Sequence, residues 1–118
     1  MFRAQIESFV VRPALDGSDL PLIEFLGDHR APGYPQVVSL LGQTLVGFAC
    51  RAEPSMPDDF VWRCRCSAGE FEISDDWAAL FILARENHEQ MIEAIAHALE
   101  KTSAFRRLDT SLASPRSR

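Results

Sequence analysis

Three groups of side chains in this sequence have the types that chemistry requires. His29 stands between Asp28 and Arg30, with Tyr34 close behind, in the breaker-rich run Gly-Asp-His-Arg-Ala-Pro-Gly-Tyr-Pro. An imidazole near a carboxylate, a guanidinium and a phenol could move a proton or clasp an anion, and loops carry such work more often than strands do. Successive side chains in an extended loop diverge, so Asp28 is poorly placed to orient its neighbour His29. Neither a Gly-x-Ser-x-Gly elbow nor a Cys/His family signature accompanies the histidine. A solvated loop histidine is the expected reading, with a small-ligand-binding loop made of His29, Arg30 and Tyr34 as the alternative and no catalytic residue assigned.

The second group is Cys64-x-Cys66, with Cys50 upstream. Cysteines at i and i+2 of a strand share a face and could hold zinc or a softer metal. Structural zinc usually draws its ligands from paired Cys-x-x-Cys spacings, which this chain lacks, and cysteine on an apolar strand face is ordinarily a small hydrophobe. No metal and no cofactor is expected.

The third group is acidic: Asp58 and Asp59, Glu70 and Glu72, then Asp75 and Asp76 followed by Trp77. The doublets lack calcium-loop spacing. Their expected role is a negative surface that steers a basic protein partner, with Trp77 in the core or, as the alternative, a half-exposed anchor of that surface. His97 follows Glu93 by one helical turn and His88 opens the same helix, so both read as solvated. The glycines are too dispersed to cradle a phosphate.

These residues need elements to position them. Phe60 to Cys66 alternates apolar with arginine, and Glu70 to Ser74 alternates acid with Phe71 and Ile73, the period of half-buried strands. If the two pair with their apolar faces together, the loop has two or four residues. Ser67-Ala68 is poor chemistry for a tight primed turn, which favours a four-residue loop from Ser67 to Glu70 and sets Arg65 against Glu72. Trp77 to Ala84 reads as a strand buried on both faces, with a buried helical segment as the rival. Asn87 with Gln90 forms a capping box for an amphipathic helix. Met91, Ile92, Ile95, Ala98, Leu99 and Thr102 make its buried stripe.

Upstream, Phe2 to Arg12 reads as a strand. Leu20 to Leu26 is a short helix between Ser18 and Gly27 or, failing that, an edge strand; the helix is favoured. Gln36 to Leu41 and Thr44 to Ala52 form a hairpin turning at Gly42-Gln43, which puts Leu40 opposite Leu45 and Val37 opposite Phe48. Glu53 to Asp59 is a loop. After Phe105 periodicity fades, and 109–118 reads as a flexible tail behind a single domain over 1–108.

At 118 residues with 47% apolar and 25% charged residues, the chain is large enough for one self-sufficient core. A formal net charge of −5 argues against nucleic acid. No apolar run is long enough to span a membrane, and none resembles a secretion signal. An odd number of cysteines, three, points to free thiols in the cytoplasm. Lys101 is the sole lysine, an arginine skew that reads as the codon composition of a bacterial genome. The expected fold is α+β: a mostly antiparallel sheet of about five to seven strands with the C-terminal helix packed on one face. The expected function is a non-catalytic module that binds a protein partner, with a small-ligand site at His29 as the alternative. A homo-oligomer through a strand edge or sheet face is compatible with either.

Overall fold

The computed structural model describes residues 6–14, 17–56, 59–76 and 79–108, of which 54–56 and 59 as backbone only. In chain order the elements are β1 (Glu7–Pro13), β2 (Pro21–Phe25), α1 (Val37–Thr44), β3 (Ala49–Met56), β4 (Asp59–Cys66), β5 (Gly69–Asp75), β6 (Leu80–Ala84), α2 (His88–Glu100) and β7 (Phe105–Arg107). The described strands form one sheet in the order β3-β4-β5-β6-β2-β1-β7. Every pairing is antiparallel except that of β1 with β7. The expected α+β architecture is observed, with α2 packed on β2, β6 and β7 and α1 packed on α2.

Alternation decides which side of the sheet the helices take. One row runs Trp62, Ile73, Ile82, Ile23 across β4, β5, β6 and β2. A parallel row runs Cys64, Phe71, Ala84. Both belong to the core, closed from above by Met91, Ile92, Ile95, Ala96, Ala98 and Leu99 of α2. Burying each large aliphatic or aromatic side chain here contributes about 1.5–3 kcal/mol. On β1 it is Phe9 and Val11 that reach this core. Val10 lies on the opposite face, although it too is buried.

The β4–β5 turn is shorter than expected. Cys64 faces Phe71 and Cys66 faces Gly69, so the turn is Ser67-Ala68 alone, and Arg63 rather than Arg65 meets Glu72. The permissive glycine lies just beyond the turn, where Gly69 adopts φ 137°. A slip of two residues preserves the side-chain period, so the apolar faces match in either register.

Three other expectations are corrected. Leu20 to Leu26 contains a strand, and a central one, because Leu22, Ile23 and Phe25 are buried between β1 and β6. Pro21 lies at the strand's first position, where its missing N–H costs little. Val37 to Thr44 is the helix α1 instead of half a hairpin. Val37 and Leu41 stand one turn apart and are its buried residues, and Gly42 leaves room for the Phe48 ring at 3.6 Å from a notional Cβ. The expected loop from Glu53 to Asp59 is largely strand, since β3 runs on to Met56 with an irregularity at Pro54.

β6 starts at Leu80 and alternates, with Leu80, Ile82 and Ala84 buried and Phe81 and Leu83 half-buried. α2 begins after Asn87 without a capping box. Asn87 is left-handed (φ 49°) with no side-chain cap, and its amide donates to the Ala68 carbonyl at 3.4 Å. At the other end the Thr102 hydroxyl donates to the Leu99 carbonyl at 2.7 Å. Phe105 to Arg107, where no periodicity is visible, forms β7 beside β1. The expected tail 109–118 lies outside the described residues. Among the described residues no helix is long and apolar enough to cross a membrane.

Candidate functional site

The loop between β2 and α1 is fixed before it can do anything. Gly27 turns the chain at φ 88° and Gly33 at φ 90°. The Asp28 carboxylate accepts from the Arg30 N–H at 3.2 Å, so Asp28 shapes the loop and leaves His29 to another partner. Tyr34 is buried, packs edge-on to Phe105 with ring centroids 6.0 Å apart, and donates its hydroxyl to the Leu26 carbonyl at 2.6 Å. Burial, reinforced by Glu7, pushes the Tyr34 phenol well above its ordinary pKa. Tyr34 therefore anchors the loop and is a neutral donor at any ordinary pH.

With the loop pinned, His29 meets the end of β5. Its Nε2 lies 2.9 Å from Asp75 Oδ1 and 3.0 Å from the Asp76 carbonyl. Both neighbours are acceptors, so Nε2 carries the proton, and in the neutral ring Nδ1 keeps its lone pair. The His29 side chain is 6% exposed and that of Asp75 17%. Arg30 completes the cluster by reaching the same Asp75 oxygen from Nε at 3.0 Å and from a terminal nitrogen at 2.9 Å. Its guanidinium stands 6.0 Å from the centre of the Phe60 ring. One carboxylate thus binds an imidazole and a guanidinium, holding both in place.

His29 and Asp75 border a cavity of about 350 Å³. Trp62, Ile73 and Leu80 of the sheet provide apolar wall, and Val37, Val38 and Ser39 of the first turn of α1 line it too. Gln36, at the N-cap of α1, makes no side-chain capping bond, so the first-turn N–H groups keep the donor capacity and partial positive charge of a helix start. A concave apolar pocket with a few convergent polar groups is the usual form of a small-molecule site.

Of the residues expected to bind a ligand, His29 and Tyr34 line this cavity and Arg30 stands behind Asp75. The expected partner-binding acids are divided between two faces. Asp75 belongs to the histidine cluster, and the Asp76 carboxylate accepts from the Ala79 N–H at 2.9 Å. Glu70 and Glu72 lie on the sheet face away from the helices, where Glu72 meets Arg85 at 3.2 Å and Arg63 at 3.8 Å. Asp58 and Trp77 lie outside the described residues, as does the side chain of Asp59. The sequence groups Asp75 with the other acids, whereas the structure sets it against His29 and Arg30. Nothing local signals this meeting, because Asp75 lies 46 residues from His29.

Cys64 is buried, and burial pushes its thiol up to about 12. Cys66 points its sulfur at Met91 Sδ, 3.9 Å away. Among the described residues no three His, Cys, Asp or Glu side chains are grouped to hold a metal ion. The fold and this cluster define a two-layer α+β domain with a histidine–aspartate pair beside a cavity of mixed polar and apolar lining. Comparison with protein-family models, curated proteins and solved structures gave no match.

Proposed function

We propose that the protein binds a small organic anion in the cavity beside His29, its flat apolar part against Trp62 and its anionic group toward the start of α1. The observation that supports this reading is the orientation of His29. Asp75 and Asp76 engage Nε2, which leaves Nδ1 as the acceptor for a ligand hydroxyl or amide. Arg30 and Tyr34 hold that arrangement without entering the chemistry. No nucleophile hydrogen-bonds to His29 among the described residues, so the reading stops at binding, in the cytoplasmic setting expected from the sequence. Thermal-shift titration with a panel of aromatic carboxylates and sugar phosphates tests it. At least one member raises the melting temperature of the wild type, and His29→Ala and Asp75→Asn each lose that response. A panel without effect, or a response that survives His29→Ala, would sink the proposal.

The second reading, a module that docks a protein partner, is favoured by the sheet face that no described helix covers. Its acids are interleaved with Arg51, Arg63, Arg65 and Arg85, and Glu53 bonds to Arg63 at 2.9 Å. Such a face suits a partner of mixed charge better than a purely basic one. Affinity capture at low and high salt separates the readings: a stoichiometric partner lost at high salt favours docking.

A further inference from the structure

We propose that Cys50 and Cys64 form a reversible cross-strand disulfide, a redox modification site that staples β3 to β4. The register places the two residues directly opposite one another. Opposed residues of an antiparallel pair have Cα atoms about 4.5–5.5 Å apart, inside the roughly 4.4–6.8 Å range that a disulfide spans. The Cys64 thiol donates only a long contact to the Trp62 carbonyl at 3.6 Å, a weak bond to give up when the two sulfurs join. Closing the bond asks the two Cβ atoms to draw together by about an ångström, a small adjustment for a strand with one neighbour among the described strands. β3 is that strand, at the edge of the sheet.

The third cysteine is placed to stay out of the reaction. Cys66 lies two residues along β4 on the same face, diagonal to Cys50, a separation of about 7–8 Å that exceeds the reach of an unstrained disulfide. Its sulfur is directed at Met91. Accessibility divides the roles of the other two, since Cys50 is half-buried and Cys64 is 5% exposed. Cys50 is the thiol that an oxidant meets first, and Cys64 is the one that resolves the product.

With a small disulfide such as oxidised glutathione as the oxidant, the electrons balance. The Cys50 thiolate attacks one sulfur, the reagent's S–S bond breaks, and one glutathione thiolate leaves and takes up a proton. Cys64 Sγ gives its proton to water, attacks the Cys50 sulfur and expels the second glutathione thiolate. Two protein thiols become one disulfide, and the reagent is reduced to two thiols.

The test is to incubate the folded full chain with oxidised glutathione, block remaining thiols with iodoacetamide and map the tryptic peptides by mass spectrometry. Cleavage after Arg63 and Arg65 isolates Cys64 in the dipeptide Cys64-Arg65, apart from Cys66, which makes the assignment unambiguous. The expected product links that dipeptide to the peptide carrying Cys50 and leaves Cys66 alkylated. Its melting temperature rises by several degrees, as constraint of the unfolded chain implies, and dithiothreitol reverses the rise. Cys66→Ser retains the link, whereas Cys64→Ser stops at a glutathione adduct on Cys50. The proposal is overturned if the wild type stops at that adduct, if all of its thiols remain open to alkylation, or if Cys50 is found joined to Cys66. The wild-type map decides the matter even if Cys64→Ser fails to fold.

Discussion

The half of the sheet formed by β6, β2 and β1 and the half formed by β3 and β4 are built by the same alternation, yet they are covered very differently. Ile82 and Ile23 are fully buried beneath α2, which packs on β2 and β6. On the far side Phe60 is 41% exposed, and Trp62 is half-buried at the cavity that separates it from α1. A strand pattern specifies which residues share a face, while the length and position of the covering helix decide how much of that face is dry. In this molecule α2 ends the argument for one half, and the other half is left with a cavity, an edge and the candidate chemistry. Local stability should follow that division.

The strongest way to break the contrast is truncation on each side. Ile82→Ala should cost about 3–4 kcal/mol, since it opens a void in a closed core, whereas Phe60→Ala should cost under about 1 kcal/mol. Urea unfolding of the two variants measures this, and equal losses would erase the distinction. Next in size is Tyr34→Phe, which leaves the Leu26 carbonyl without its hydroxyl donor and should cost about 1–2 kcal/mol.

Alkaline titration sharpens the same comparison. Tyr34 and Cys64 hold their protons more tightly in the folded state than in the unfolded chain. Their contribution is complete below about pH 8.5, the usual thiol value. It declines as the pH rises, because the unfolded chain releases protons first. For Cys64 the decline runs up to about 12. Melting temperatures followed from pH 8 upward, about the onset expected from ordinary thiol and phenol values, should fall. Tyr34→Phe should flatten the part of the fall that sets in near the ordinary phenol range.

The smallest effect belongs to the surface. Glu93 is bonded by Arg107 through two contacts of 3.0 and 2.9 Å, which holds its carboxyl below the usual range. That contribution is present above the unfolded carboxyl value and disappears as the pH falls through the folded one. Because the pair is exposed, Glu93→Gln should change stability by no more than about 0.5 kcal/mol at neutral pH, and by less in high salt. Denaturant curves at two ionic strengths check it.

What could be read in the chain beforehand follows the same physical line. α2 was legible because six buried side chains repeat at helical spacing, and β4 and β5 because their alternation is unbroken. α1 was misread because Val37, Val38, Leu40 and Leu41 satisfy a strand and a helix equally over so short a span, and Gly42 suggested a turn. Packing settled it: Leu41 is completely buried. β2 was misread because Ser18 and Gly27 resemble helix ends, whereas the strand is held between β1 and the distant β6. At the candidate site the loop, His29, Arg30 and Tyr34 were all visible. The carboxylate that organises them was visible only as one acid among several, since no local pattern reports a meeting across 46 residues.

The place of β2 in the sheet bears on how the chain reaches its final form. β3 through β6 are consecutive both in the chain and in space, so that meander can assemble from neighbours. The seam between β2 and β6 joins Ile23 to Ile82, across half of the 118-residue chain, and only a long loop closure brings the two together. Refolding should therefore be paced by the docking of an early β1–β2 hairpin onto a later meander, on the millisecond-to-second scale of topologies rich in distant contacts. Substitutions along that seam would slow the forward rate, while those in the β3–β4 arm would chiefly hasten its loss.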